Sequence, residues 1–290
     1  MRLDVQVRNG LQDPRKEPYS GPMMTSERSG SRARRALRLA IGVGLLLTIS
    51  IACGARQQTP PPGSAQPDRF LFERGSEALQ KEQWLNARTY FQQIVDGYPQ
   101  SPFRPDAKLG LGDAYLGENT AESLVQAANE FREFLQFFPT SERADYAQYK
   151  LAMTHVVQMR SADRDQTETR AALAEFDVFF LKFPNSPLMP EVKERWRVAR
   201  DRLSEHNYRV GLTYYRIRWD PGAIDRFREV LRDDPAYGGR DAVYFYLAES
   251  LTRSDKKAEA IPYLERILAE FEVSEYLDDA RERLQQLKTQ

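Results

Sequence analysis

The chain has one cysteine and two histidines in 290 residues, and these scarcities exclude several kinds of chemistry. A lone cysteine, Cys53, permits no disulfide within the chain and no dithiol redox pair. Neither His155 nor His206 has a second ligand at metal-binding spacing, so no metal site and no histidine-based catalysis is expected. No glycine-rich phosphate loop is present, and no serine sits in a nucleophile elbow. Carboxylates are plentiful, but on helices their ordinary role is a solvated face. An enzyme is therefore rejected, and no cofactor is expected. The sequence also lacks a run long enough to span a bilayer: its most apolar stretch, Leu39 to Ala52, has 14 residues where about 20 are needed.

That stretch has a different use. It follows Arg32, Arg34 and Arg35 and ends on the small residue Ala52 directly before Cys53, the layout of a bacterial export signal. The junction resembles the lipobox of bacterial lipoproteins, with Ser50 where leucine is usual. The resemblance implies acylation of Cys53 as the mature amino terminus. An ordinary signal peptide with an incidental cysteine is the alternative. Residues 1–22 carry mixed charge, proline and glycine, and push the signal unusually far from the terminus, whereas a start at Met23 or Met24 gives a signal of normal length. The expected organisation is therefore an extension over 1–22, a signal over 23–52, a tether over 53–69 and a folded region over 70–290.

Removing residues 1–52 changes the charge balance. They hold nine of the 42 basic and four of the 42 acidic residues, leaving 33 basic against 38 acidic from Cys53 onward. A mildly acidic chain of this kind does not suit nucleic-acid binding through phosphate contacts. The tether begins "GARQQTPPPGSAQPD" and contains no large apolar residue. Its four prolines between Thr59 and Pro67 favour extended geometry, giving about 15 residues a reach of roughly 45 Å.

From Phe70 onward the chain repeats. An alanine is followed four residues later by a large apolar residue and seven residues after that by an aromatic, usually before proline. The copies are Ala87, Phe91, Tyr98, Pro99; Ala127, Phe131, Phe138, Pro139; Ala172, Phe176, Phe183, Pro184; then two degenerate ones, Ala223, Phe227, Asp234, Pro235 and Ala260, Leu264, Phe271, Glu272. The alanines lie 40, 45, 51 and 37 residues apart, so the half-repeat is fixed and loops absorb the difference. Alanine and the bulky residue share one helix face, and proline ends the helix. The serine of "YPQS", "FPTS" and "FPNS" is placed to cap the next helix. Small residues at Gly75, Gly211 and Ala248, each 12 before an alanine, mark a preceding helix. This pattern resembles the tetratricopeptide repeat, a stacked helical hairpin. The expected fold is all-α, a solenoid of about five hairpins.

A closer resemblance lies in "DRDQTETRAALAEFDVFFLKFPNSP" and "RDRLSEHNYRVGLTYYRIRWDPGAIDRFREVLRDDP". Together with the lipobox and tether, these stretches resemble the BamD family of the outer-membrane β-barrel assembly complex. The resemblance implies a non-enzymatic, lipid-anchored scaffold on the periplasmic face of the outer membrane. Its implied partners are the barrel subunit with POTRA domains, other assembly lipoproteins and unfolded outer-membrane protein substrates. Arg226 matches an arginine with which the family grips a carboxylate on the last POTRA domain; Asp225 beside it and Arg164 and Asp165 in the "DRDQT" loop are implied on the same side. Phe72, Ser76, Leu79 and Asp113 are the first-helix positions implied to face a substrate groove, although packing would equally explain each. A generic tetratricopeptide adaptor for envelope, division or peptidoglycan machinery is the alternative.

Three local features have plain explanations. The "DRDQT" stretch, Asp163 to Thr167, is expected in a longer loop between repeats two and three, where Asp165 and Glu168 have capping-box spacing for the next helix. His155 reads as a helix residue near the hairpin surface. In "KERWRVARDRL" the apolar stripe Val192, Trp196, Ala199, Leu203 is expected to pack while the charges between Lys193 and Arg202 face water.

Overall fold

The computed structural model describes residues 59–61 and 63–289. The expected signal, Cys53 and the beginning of the tether lie outside the described residues. Among those residues every regular element is a helix, and none is long and apolar enough to cross a membrane. The helices are α1 (Pro67–Gln80), α2 (Trp84–Gly97), α3 (Arg104–Glu118), α4 (Ala121–Phe137), α5 (Ala144–Val156), α6 (Thr167–Lys182), α7 (Met189–Arg216), α8 (Asp220–Asp233), α9 (Arg240–Arg253), α10 (Lys257–Glu270) and α11 (Leu277–Lys288). Each packs on the next, giving five hairpins from α1/α2 to α9/α10 with α11 closing the last. Helix α1 begins three residues before the expected boundary, because Pro67 occupies its first turn, where a missing amide hydrogen costs nothing.

The repeat governs the interior. Ala87, Ala127, Ala172, Ala223 and Ala260 are fully buried, as are Phe91, Phe131, Phe176, Phe227 and Leu264 to within 1 %. The large rings sit in notches left by glycine. A Cβ added to Gly75 or Gly110 would fall 2.6 or 2.4 Å from the Phe91 ring, one added to Gly112 would fall 2.6 Å from Phe131, and one added to Gly211 would fall 2.7 Å from Phe227. Hairpin five changes both partners: Ala248 occupies the glycine position and Leu264 the phenylalanine position. A methyl added on one side is matched by a smaller group on the other.

Four of the hairpin turns are two or three residues long and hold one residue in the left-handed region: Glu82 (φ 55°), Asn119 (φ 53°), Arg218 (φ 65°) and Asp255 (φ 59°). The exception joins α5 to α6 through residues 157–166. The "DRDQT" segment therefore lies inside the third hairpin, not between the second and third. Its expected capping box does not form: α6 starts at Thr167, Asp165 accepts from the Thr167 amide at 3.1 Å and hydroxyl at 3.0 Å, and Glu168 pairs with His155 at 2.7 Å. Among the described residues a capping box forms instead between Thr120 and Ser123, at the start of α4.

The serines after the prolines are not helix caps either. Each hydroxyl accepts from the amide two residues on, as Ser101 does from Phe103 at 3.1 Å and Ser186 from Leu188 at 3.1 Å. The hydroxyl proton goes elsewhere. Ser101 donates to Asp68 and Ser186 to Asp145, both at 2.6 Å, and Ser274 donates to Asp241 at 2.6 Å. Each carboxylate stands in the first turn of the preceding hairpin's first helix, so the serine ties successive hairpins together.

The notch pairing gives a stability test. Leu264→Phe alone should cost about 1–3 kcal/mol by overpacking against Ala248, and Ala248→Gly in the same chain should recover most of it. Chemical denaturation of the wild type, both single variants and the double variant reads the coupling; additive losses would mean that these two positions do not form the fifth notch.

Candidate partner-binding surfaces

The partner-side residues suggested by the sequence stand on elements packed against α7. This helix runs 28 residues and belongs to two hairpins. Its amino-terminal part closes the core of hairpin three through Val192 and Trp196, and its carboxy-terminal part forms the first helix of hairpin four around Gly211. Between the two parts lies a buried charge. Asp234 occupies the position that Tyr98, Phe138 and Phe183 fill in earlier repeats, and it is 3 % exposed. Arg197 donates to both its oxygens, at 2.9 Å to Oδ1 and through a second close contact to Oδ2, and Ser204 donates its hydroxyl at 2.6 Å. Burial pushes the Asp234 carboxyl up, but the hydrogen bonds from Arg197 and Ser204 outweigh it and hold it below its ordinary value.

The charges of the basic run are thus not all solvated. Besides Arg197, Arg200 lies over the Trp196 ring at 5.4 Å, and Arg202 donates to the Met159 and Arg160 carbonyls at 3.2 and 3.4 Å. His206 contacts the Ala162 carbonyl at 2.7 Å. The 157–166 loop is therefore strapped along the middle of α7. Arg164 and Asp165 project from it, both exposed. Asp165 is held below its ordinary carboxylate value by the Thr167 amide and hydroxyl. On the neighbouring helix α8, Asp225 is exposed and Arg226 half-buried, donating to Glu229 at 2.7 Å. Each pair of expected partner-side residues stands on an element packed against α7.

The expected substrate residues are more deeply committed to packing. Phe72 stacks on Phe103 at 5.1 Å and tilts against Phe91 at 5.9 Å, and Leu79 packs on the core of hairpin one. Ser76 is partly exposed beside them. Asp113 accepts from the Tyr146 hydroxyl at 2.7 Å and lies 3.3 Å from the Lys150 ammonium, bridging hairpins two and three. Burial first, then the Asp113 charge, pushes the Tyr146 hydroxyl up, so this hydrogen bond persists at any physiological pH. A cleft of about 740 Å³ instead opens along α2, lined by Leu85, Arg88, Gln92, Asp96 and Tyr98 with Tyr115 of α3. Sequence reasoning did not find it.

Asp234 also escaped the sequence reading, although its signal was present: a carboxylate at a position that earlier repeats fill with a packed aromatic demands a cation. Removing it should leave Arg197 without its buried partner. Asp234→Ala is expected to cost roughly 3 kcal/mol at neutral pH. Because the folded carboxyl titrates below the unfolded one, its contribution is complete above about pH 4 and fades as pH falls through the lower folded value, so wild type and variant should converge in acid. Urea denaturation at a series of pH values checks both; a variant as stable as wild type at neutral pH would contradict it.

Comparison with known proteins follows this geometry. The YfiO family, described as an outer membrane lipoprotein, matches residues 64–254, and a tetratricopeptide repeat family matches residues 242–272. Relatives bearing the description outer membrane protein assembly factor BamD include that of Vibrio cholerae, 25 % identical over 201 residues, which span 66 % of this chain and 81 % of the relative. The Caulobacter vibrioides protein is 24 % identical over 217 residues, covering 73 % and 70 %. That of Rickettsia prowazekii is 22 % identical over 201 residues, covering 69 % and 79 %.

Proposed function

From the premise that the chain belongs to the BamD family of outer membrane lipoproteins, we propose that it is an assembly factor for outer-membrane β-barrel proteins, acting by binding alone. Family membership places the chain at the outer membrane as a non-enzymatic scaffold. The finer reading is that Cys53 carries acyl chains on the periplasmic face and that hairpins three to five dock the POTRA-bearing barrel subunit. Hairpins one and two present unfolded substrate, and other assembly lipoproteins join the complex.

The observation that carries the docking assignment is the rigid platform around α7. Loop 157–166 is strapped to it by Arg202 and His206, and the Asp234–Arg197 node fixes α8 on its other flank. Arg164, Asp165, Asp225 and Arg226 thus project from surfaces already ordered, so a partner need not supply their ordering entropy. Arg226 has a planar fork suited to a carboxylate, and its bond to Glu229 can be exchanged for one across an interface. On the substrate side, Ser76 is partly exposed, while Phe72, Leu79 and Asp113 also serve packing. The α2 cleft, with Leu85 exposed at one end and Tyr98 at the other, offers an apolar and polar mixture suited to an extended segment.

Charge reversal tests the docking face. Arg226→Glu should weaken binding to a purified POTRA-bearing subunit by about tenfold to a hundredfold in calorimetry, with the melting temperature unchanged. Undiminished affinity would remove Arg226 from the interface.

A further inference from the structure

The turn between α7 and α8 carries none of the residues assigned above to partner docking. Ile217 is 65 % exposed and Trp219 52 % exposed, two large apolar residues on one three-residue tip. Arg216 precedes them and Arg218 stands between them, both exposed, and neither pairs with a carboxylate among the described residues. The nearest acid, Asp220, is already neutralised by Arg253 from hairpin five. The tip is therefore cationic as well as apolar. It is also ordered: the Trp219 ring stands edge-to-face on Tyr214 at 4.6 Å, and lies so close over Gly222 that a Cβ there would fall 2.5 Å from it. Its amide donates to the Tyr214 carbonyl at 2.9 Å, and Arg218 is fixed in the left-handed region at φ 65°.

An indole held at the surface, an isoleucine two residues away and two exposed arginines in the same four-residue stretch match the layered chemistry of a bilayer interface, where aromatic rings sit at headgroup depth and arginines meet phosphates. We propose that the Ile217–Trp219 tip is a second membrane contact, which rests its apolar side chains in the headgroup region of the membrane and pairs Arg216 and Arg218 with anionic phospholipid phosphates. The proposal rests on the lipid-anchored reading. A two-residue apolar tip binds weakly alone, but a tether reaching roughly 45 Å from an acylated cysteine keeps it at high local concentration beside the bilayer. Its work is then orientation: it fixes which face of hairpin four looks toward the membrane and which toward a periplasmic partner.

The test uses the full chain recovered from membranes and reconstituted into phosphatidylethanolamine/phosphatidylglycerol vesicles whose acyl chains are brominated. The chain has three tryptophans, Trp84, Trp196 and Trp219, so fluorescence isolates the tip by subtraction. Bromolipid should quench a part of the wild-type emission that is missing in Trp219→Phe. That part should also be lost in Ile217→Asp/Arg218→Glu, with thermal unfolding unchanged, and should weaken when phosphatidylglycerol is replaced by phosphatidylcholine. Equal fractional quenching in wild type and Trp219→Phe overturns the proposal, as does Trp219 remaining open to aqueous iodide, or becoming shielded only when a purified barrel subunit is added. Vesicle flotation read in parallel separates the anchor from the tip. Protein that fails to float refutes the anchor, whereas protein that floats with an unquenched Trp219 refutes the tip alone.

Discussion

The structure depends on one steric fit, a phenylalanine ring set into a notch where the facing helix has no side chain. Phe91, Phe131 and Phe227 each lie against glycine closely enough that a methyl group could not be added without displacement. Because interiors are packed to crystal-like density, such a fit sets the separation and rotation of two helices at once. Repeating it from hairpin to hairpin produces stacking in which each unit is completed by its neighbour, and the four separate core clusters follow the chain in order. Serine-to-aspartate links, Ser101 to Asp68, Ser186 to Asp145 and Ser274 to Asp241, add polar ties after hairpins one, three and five.

That regularity makes the departures informative. After hairpin three the chain turns through residues 183–188 into α7, whose 28 residues serve hairpins three and four alike, and the aromatic that would have packed at the end of α8 is an aspartate. Arg197 and Ser204 supply what the aspartate needs, at the place where the two halves of the long helix meet. A charge pair of this kind contributes little over an apolar filling, but it demands one registration of α8 against α7. Asp225 and Arg226 stand on α8, which this registration positions, while Arg202 and His206 of the same long helix hold the loop that carries Arg164 and Asp165, so the proposed docking residues all depend on α7.

The fold was legible because its determinants are local. Alanine and the bulky residue four later report a helix face directly, and all five pairs are buried as their spacing requires. Capping was misread because Ser101 and Ser186 have the composition of caps while their hydroxyls are donated to Asp68 and Asp145, a relation with sequence separations of 33 and 41 residues that no local pattern shows. The placement of "DRDQT" failed for a similar reason: hairpin three lengthens its internal turn, so counting from the alanines assigns the insertion to the wrong side of α5. Binding surfaces were the least legible. Arg226 was identified through family resemblance alone, and Asp113 came from a face prediction that could not foresee Tyr146 and Lys150 reaching it from the next hairpin.

The central claim is that an acylated helical scaffold holds a POTRA-bearing barrel subunit at the outer membrane. Affinity recovery of the tagged chain from detergent-solubilised membranes, with mass spectrometry of both the co-purifying proteins and the amino-terminal peptide, tests it most directly. The account predicts a triacylated peptide beginning at Cys53 together with a POTRA-bearing barrel protein in the same eluate. An acylated peptide accompanied instead by division or peptidoglycan proteins, with that barrel absent, would contradict it and make the chain a general envelope adaptor.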